Sequence, residues 1–140
     1  MKKISIIGAG FAALSASRKL RALDANAEIT LIAPKAELIF LPSLIWIPSG
    51  KRKAEDVRIP LERFLRDNRI RFFAGEATGL ENSGRTVLTN NGKVENDGLI
   101  IASGGRFIKK LPGIEHAILP CEGIAAAEKI RDRVAALERG

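Results

Sequence analysis

The chain opens on a short apolar run closed by a glycine. Residues 4–7, Ile-Ser-Ile-Ile, are rich in β-branched side chains and end at Gly8, the look of a buried parallel strand. From Phe11 onward, Leu14 and the residues from Ala16 to Leu20 recur at helical spacing. Arg and Lys come late in that segment, where the helix dipole favours cations. Residues 27–33 (AEITLIA) predict a second strand, residues 59–68 a short helix started by Pro60, and residues 70–75 a third strand. Between the second strand and that helix lies an insert containing Pro42, Ser43, Trp46 and Pro48. It reads equally as a functional loop or as a hydrophobic loop packed on the sheet. Residues 76–103 change to a meander of short strands, with Asn91–Gly92 as the strongest hairpin cue, and end in a buried strand, DGLIIASGG. A last helix is predicted over 122–139, with Ile124, Ala127, Ile130, Val134 and Leu137 on one face. The fold class is α/β: a parallel sheet with helices on its faces and a β-meander.

The first break carries chemistry. Gly8, Gly10 and Ala13 fill a G-x-G-x-x-G/A spacing between a strand and a helix, the Rossmann-like arrangement for binding a dinucleotide. Gly8 allows the tight turn, Gly10 lets a pyrophosphate approach the backbone, and Ala13 lets the helix pack closely on the strand. The helix N-terminus then offers N–H groups and partial positive charge to the diphosphate. The acid expected on the ribose at the end of the second strand is missing. Ala33, Pro34 and Lys35 stand there, and the nearest acid is Glu37. Either Lys35 receives a 2′-phosphate, implying NADP, or backbone and Lys35 hold the ribose without an acid.

Composition narrows the classes. At 140 residues the chain is one domain or part of one. The net charge of +7 is scattered from Lys2 to the final helix, there is no Tyr, and the six Phe lie in apolar runs. This describes a solvated basic surface, with an anionic ligand or an anionic membrane surface left open, and no nucleic-acid partner. One Cys and one His make neither a zinc site nor an internal disulfide, and no Cys-x-x-Cys pair is present. The longest apolar run, residues 37–50, is too short to span a bilayer and is broken by two prolines. An intracellular chain without a signal peptide is expected.

The motifs together resemble the N-terminal part of two-dinucleotide-fold flavoproteins. GAGFAALSA (residues 8–16) matches their first glycine fingerprint, and NDGLIIASGG (residues 96–105) their second signature, usually Tyr-Asp-x-Leu-Ile-Ile-Ala-Thr-Gly. Asn96 stands where the Tyr is usual and Ser103 where the Thr is. The segment FLPSLIWIPSGKRKAEDVRIPLERFLRDNRIRFF (residues 40–73) is similar to the Phe-x-Pro-Ser-x-x-Trp region of sulfide:quinone oxidoreductases, and the likeness runs over essentially all 140 residues. It implies an FAD-binding domain. Gly8, Ala9, Gly10, Phe11 and Ala12 would contact the diphosphate, and Ala33, Pro34 and Lys35 the ribose end. Pro42 would line the flavin pocket, Glu76 and Ala77 the adenine, and Ala102, Ser103 and Gly104 the region beside the flavin. This branch often has a small residue in place of the ribose acid, which favours FAD over NADP. Type II NADH:quinone dehydrogenases share the layout but usually differ at Pro42-Ser43. They are the second reading, and a stand-alone nucleotide-binding module without catalysis is the third.

Cys121 is the only cysteine, placed just before the last helix. Locally it reads either as a small buried hydrophobe or as a group beside a cofactor. In sulfide:quinone oxidoreductases a cysteine stands at this position near the flavin, in some members as a thioether to the 8-methyl group. The resemblance therefore implies a catalytic Cys121, with the helix N-terminus supporting its thiolate. The implied reaction oxidises sulfide and delivers electrons through FAD to quinone. The family's two further cysteines, its second dinucleotide fold and its membrane-docking elements would lie past residue 140. The expectation for residues 1–140 is thus the N-terminal part of an FAD-binding domain, inactive alone. It would be cytoplasmic or peripheral to the cytoplasmic membrane, with membrane contact only through the missing parts. It would pair as a homodimer, or a domain-swapped pair, through surface that the rest of the enzyme covers, with weak or no flavin bound. His116 reads as a loop residue and Trp46 as packing.

Overall fold

Four of the apolar runs meet in one parallel sheet. The computed structural model describes residues 1–105 and 108–137. The chain divides into two compact units, Met1–Leu38 with Pro60–Gly104, and Ile39–Ile59 with the described part of Gly105–Gly140. In the first unit β1 (Lys3–Ile7), α1 (Phe11–Leu23) and β2 (Glu28–Ala33) follow in the predicted order. The chain leaves this unit through β3 (Glu37–Ile39) and returns through β4 (Arg58–Pro60), which pair as a two-stranded ribbon. Next come α2 (Glu62–Asp67), β5 (Arg71–Ala74), β6 (Ala77–Glu81), β7 (Thr86–Thr89), β8 (Gly92–Glu95) and β9 (Gly98–Ile101). The parallel sheet has the order β5-β2-β1-β9, and the antiparallel meander the order β6-β7-β8.

Register explains how the layers stack. Phe72, Leu31, Ile6 and Ile100 stand side by side across the four parallel strands. They pack with Ala13, Leu14 and Leu20 of α1 and with Leu61, Phe64 and Leu65 at α2. Each fully buried Ile or Leu of this kind contributes about 1.5–3 kcal/mol. Because alternate strand residues face opposite ways, both helices lie on one face of the sheet. The meander covers the other face, where Leu99 lies against Gly84 and the Phe73 ring against Gly75 and Gly92. Ser17, buried on the packed side of α1, donates its Oγ hydrogen to the Leu14 carbonyl at 2.9 Å and so leaves no unpaired hydroxyl in the core. Arg21 ties the helix ends together. Its guanidinium donates to the carbonyls of Asp24, Ala25, Asn68 and Arg69 at 2.9–3.2 Å.

In the second unit, Leu41–Trp46 forms a 3-10 turn whose Leu44 is fully buried together with Ile47. These two pack with Val57 and with Ile124 and Ala127 of α3 (Ile124–Leu137) in a small core of their own. The insert is therefore a packed segment rather than a structureless loop. It builds a second core with the last helix.

Several boundaries differ from the sequence reading. Pro60 ends β4 rather than starting a helix, and α2 begins two residues later. Leu61 N–H donates to the Ala36 carbonyl, while the Leu61 carbonyl accepts from Leu65. An extended residue lacking a donor fits an edge ribbon. β9 is not fully buried. It is the outer strand of its sheet, and Ile101 is 63% exposed. The hairpin turn is Asn90–Asn91 between the paired Thr89 and Gly92, one residue earlier than the cue. The last helix starts at Ile124, after a 3-10 turn at Pro120–Glu122 and Gly123 with φ +124°. Residues 138 and 139 of the predicted helix lie outside the described residues. Trp46 is not interior packing but 43% exposed, with the Lys51 ammonium 5.0 Å from its ring centroid. His116 is exposed in a short 3-10 turn.

Candidate functional site

Parallel strands all point their carboxyl ends the same way, and ligands bind where the strand order reverses. Here β1 is followed by β2 on one side and flanked by β9 on the other. The segments leaving β1, β2, β5 and β9 therefore gather along one edge of the first unit. They are stitched together by backbone hydrogen bonds. Gly8 N–H donates to Ile32 at 2.8 Å, Ala102 N–H to Ile7 at 2.8 Å, and Gly75 N–H to Ala33 at 3.0 Å.

Gly8 and Gly10 do different work on that edge. Gly8 has φ +118°, and a Cβ there would stand 2.3 Å from the Ala102 carbonyl oxygen. Its missing side chain is thus required by the neighbouring strand as well as by the turn. Gly10 is the N-cap of α1, no side chain caps the helix there, and a Cβ on Gly10 would meet nothing within 4 Å. The space in front of it is open. The first-turn N–H groups of α1 have no acceptor within the helix, and its dipole is positive at this end. Ala13 is fully buried in the core, as close helix–strand packing requires. An open cradle at a helix N-terminus of thirteen residues fits a dinucleotide diphosphate.

The other expected residues divide by unit. Ala33 ends β2 nearly buried, and Pro34 and Lys35 follow it exposed. Glu76 is exposed beyond β5, and Ala77 is half-buried at the start of β6. Ala102 is half-buried, with Ser103 and Gly104 exposed after it and Gly104 at φ +75°. These residues and Gly8 to Ala12 share the sheet edge of the first unit. Pro42 and Cys121 belong to the second. Pro42 is exposed in the Leu41–Trp46 turn, and Cys121 is an exposed free thiol in the Pro120–Glu122 turn. Local packing thus answers half of the cysteine question, since Cys121 is not a buried hydrophobe. Glu122 beside it pairs with Lys109 at 2.8 Å. Sequence reasoning did not name Asn90, whose Oδ1 accepts from the Glu76 N–H at 2.8 Å. The only signal was a pair of asparagines at a turn.

The model of one protein family, the pyridine nucleotide-disulphide oxidoreductases, matches residues 2–137. The chain belongs to this family. Within it, the chain is 32% identical over 116 residues to a sulfide-quinone reductase of Aquifex aeolicus, covering 82% of this chain and 27% of that protein. It is 34% identical over 116 residues to a type II NADH:quinone oxidoreductase of Staphylococcus aureus, covering 81% of this chain and 28% of that protein. The X-ray structure of the Aquifex aeolicus sulfide:quinone oxidoreductase superposes with a TM-score of 0.87 at 28% identity, over 100% of this chain and 33% of that one. The chain thus spans about a third or less of the length of these relatives. The family match and these neighbours bear out the resemblance and the α/β fold class with its parallel sheet, and they make the chain a relative of flavin-dependent oxidoreductases. No helix among the described residues is long and apolar enough to cross a membrane.

Proposed function

We propose that residues 1–140 are the N-terminal part of an FAD-binding domain, and that the protein of which they form part is a flavin-dependent quinone reductase using sulfide as donor. The observation that carries this reading is the open face of Gly10 at the N-terminus of α1, on the edge where the strand order reverses. In it, Gly8 to Ala12 hold the diphosphate, Ala33 to Lys35 the ribose, Glu76 and Ala77 the adenine, and Pro42 and Ala102 to Gly104 the flavin. FAD, when bound, supplies the electron-transfer chemistry. The chain's own part is to bind and orient it, and Cys121 is the thiol assigned to the flavin. The support for sulfide is the likeness to the Aquifex aeolicus enzyme. The similar identity to the type II NADH:quinone oxidoreductase supports NADH as the alternative donor.

Exposed Leu41, Ile45 and Trp46 lie within one 3-10 turn of the second unit, which we read as an apolar patch. Such a patch supports self-association of the isolated chain as a homodimer. The activity test uses the full-length protein containing this chain, supplied with a short-chain quinone and either sulfide or NADH. Sulfide-dependent reduction that falls in Cys121→Ser, with FAD content unchanged, is the expected result. Reduction driven by NADH alone and indifferent to Cys121→Ser would move the protein to the second reading.

A further inference from the structure

Outside the glycine turn, the most heavily anchored backbone on the ligand edge is residues 74–76, between β5 and β6. Three neighbouring residues of the β7–β8 hairpin hold it. Asn91 donates its Nδ2 hydrogen to the Ala74 carbonyl at 2.8 Å. Asn90 Oδ1 accepts from Glu76 N–H at 2.8 Å, and Asn90 N–H donates back to the Glu76 carbonyl at 3.1 Å. Between them Gly75 is pressed so closely on Thr89 that a Cβ would stand 3.0 Å from its Oγ1 and 3.2 Å from the Phe73 ring. Thr89 is held in turn, because its Oγ1 donates to the Gly92 carbonyl at 2.8 Å and accepts from Asn91 N–H at 3.1 Å. The same short segment reaches the ribose end, since Gly75 N–H donates to Ala33 at 3.0 Å.

Two asparagine side chains spent on the backbone of another segment exceed what a hairpin needs. A two-residue turn closes with its own main-chain bonds and any tolerant residues. Here both amides reach out of their own turn and fix the course of residues 74–76, beside the end of β2 at Ala33. We infer that Asn90 and Asn91 are positioning residues for the adenosine half of the bound dinucleotide, acting through Glu76 and Ala33 rather than by touching the ligand. This deepens the FAD reading and rests on it. The meander is then more than a cover for the sheet. It sets one wall of the adenosine site from a distance along the chain.

The test measures affinity of the flavin-free full-length protein containing this chain for FAD and for ADP, which carries the adenosine diphosphate half alone, by calorimetry on wild type, Asn90→Ala, Asn90→Asp and Asn91→Ala. Loss of one positioning hydrogen bond predicts a fall of roughly 5- to 10-fold for both ligands in Asn90→Ala and in Asn91→Ala. Asn90→Asp keeps the acceptor for Glu76 N–H and restores most of the affinity, which a general loosening of the hairpin would not do. The ¹⁵N–¹H spectrum is expected to show the first-turn amides of α1 unmoved in all variants. Wild-type affinity in both alanine variants would overturn the inference while leaving the FAD reading intact. Equal weakening in Asn90→Asp and Asn90→Ala would also overturn it. Absence of any FAD or ADP binding by the wild-type full-length protein would remove the reading and the inference together.

Discussion

Two glycines a residue apart carry opposite physical burdens. Gly8 is enclosed, with a left-handed-side φ and the Ala102 carbonyl where its Cβ would go. Gly8→Ala is expected to lower the unfolding free energy by about 2–4 kcal/mol in a urea titration, from backbone strain plus a steric clash. Gly10 has φ −83° and open space before it. Gly10→Val should cost only about 1 kcal/mol or less as a poorer N-cap, yet weaken FAD binding by roughly tenfold or more by filling the diphosphate cradle. A variant pair that lost stability and binding in parallel would contradict this division. The spacing in the sequence names both glycines as one motif. It gives them different roles but cannot show the clash at Gly8, because the atom a Cβ would meet belongs to Ala102, far along the chain. Asn90 was illegible for a related reason. Its partner is a backbone N–H in a different segment, and a turn asparagine looks the same whether its amide is used or not.

Elements were legible where periodicity alone decides and less so where neighbours decide. β1, α1 and β2 follow their pattern because a buried parallel strand and an amphipathic helix carry their partners' signature in their own residues. β9 reads as buried on its apolar run, but an outer strand has a neighbour on one side only, and Ile101 stays exposed. Pro60 fits a helix start as well as an edge ribbon, and only the Leu61–Ala36 hydrogen bond chooses. The apolar face of α3 is read correctly as a stripe, yet its burial fades from Ile124 and Ala127 to Leu137, 83% exposed. Ile124→Ala is accordingly expected to cost about 2–4 kcal/mol of stability and Leu137→Ala within about 0.5 kcal/mol, by thermal or denaturant unfolding. At the far end of α1, Arg21→Lys keeps the charge but loses the planar fork that reaches four carbonyls. About 1–2 kcal/mol should go with it, and an unchanged midpoint would show that the clamp contributes nothing.

At the scale of the molecule, the chain has a unit of parallel sheet and meander, to which the proposed dinucleotide site belongs, and a second unit built from the insert and the last helix. The residues expected at the diphosphate, ribose and adenine all fall on one sheet edge of the first unit; the glycine motif marks the diphosphate part, while Glu76 and Ala77 were legible only through resemblance. The residues assigned to the flavin itself, Pro42 and Cys121, come from the second unit and were legible only through resemblance, since an exposed turn leaves no periodic trace. Light scattering of the isolated chain should report a dimer that weakens when Ile45 and Trp46 are made polar. A monomer at high concentration would leave that patch without the proposed role. The most direct test of the account is the visible absorption spectrum of the purified full-length protein containing this chain after addition and removal of excess FAD, with NADPH as the competing nucleotide. Retained flavin absorbance that NADPH does not displace is the predicted result. A colourless protein that binds NADPH would contradict the FAD assignment and return Lys35 to the role of a 2′-phosphate ligand.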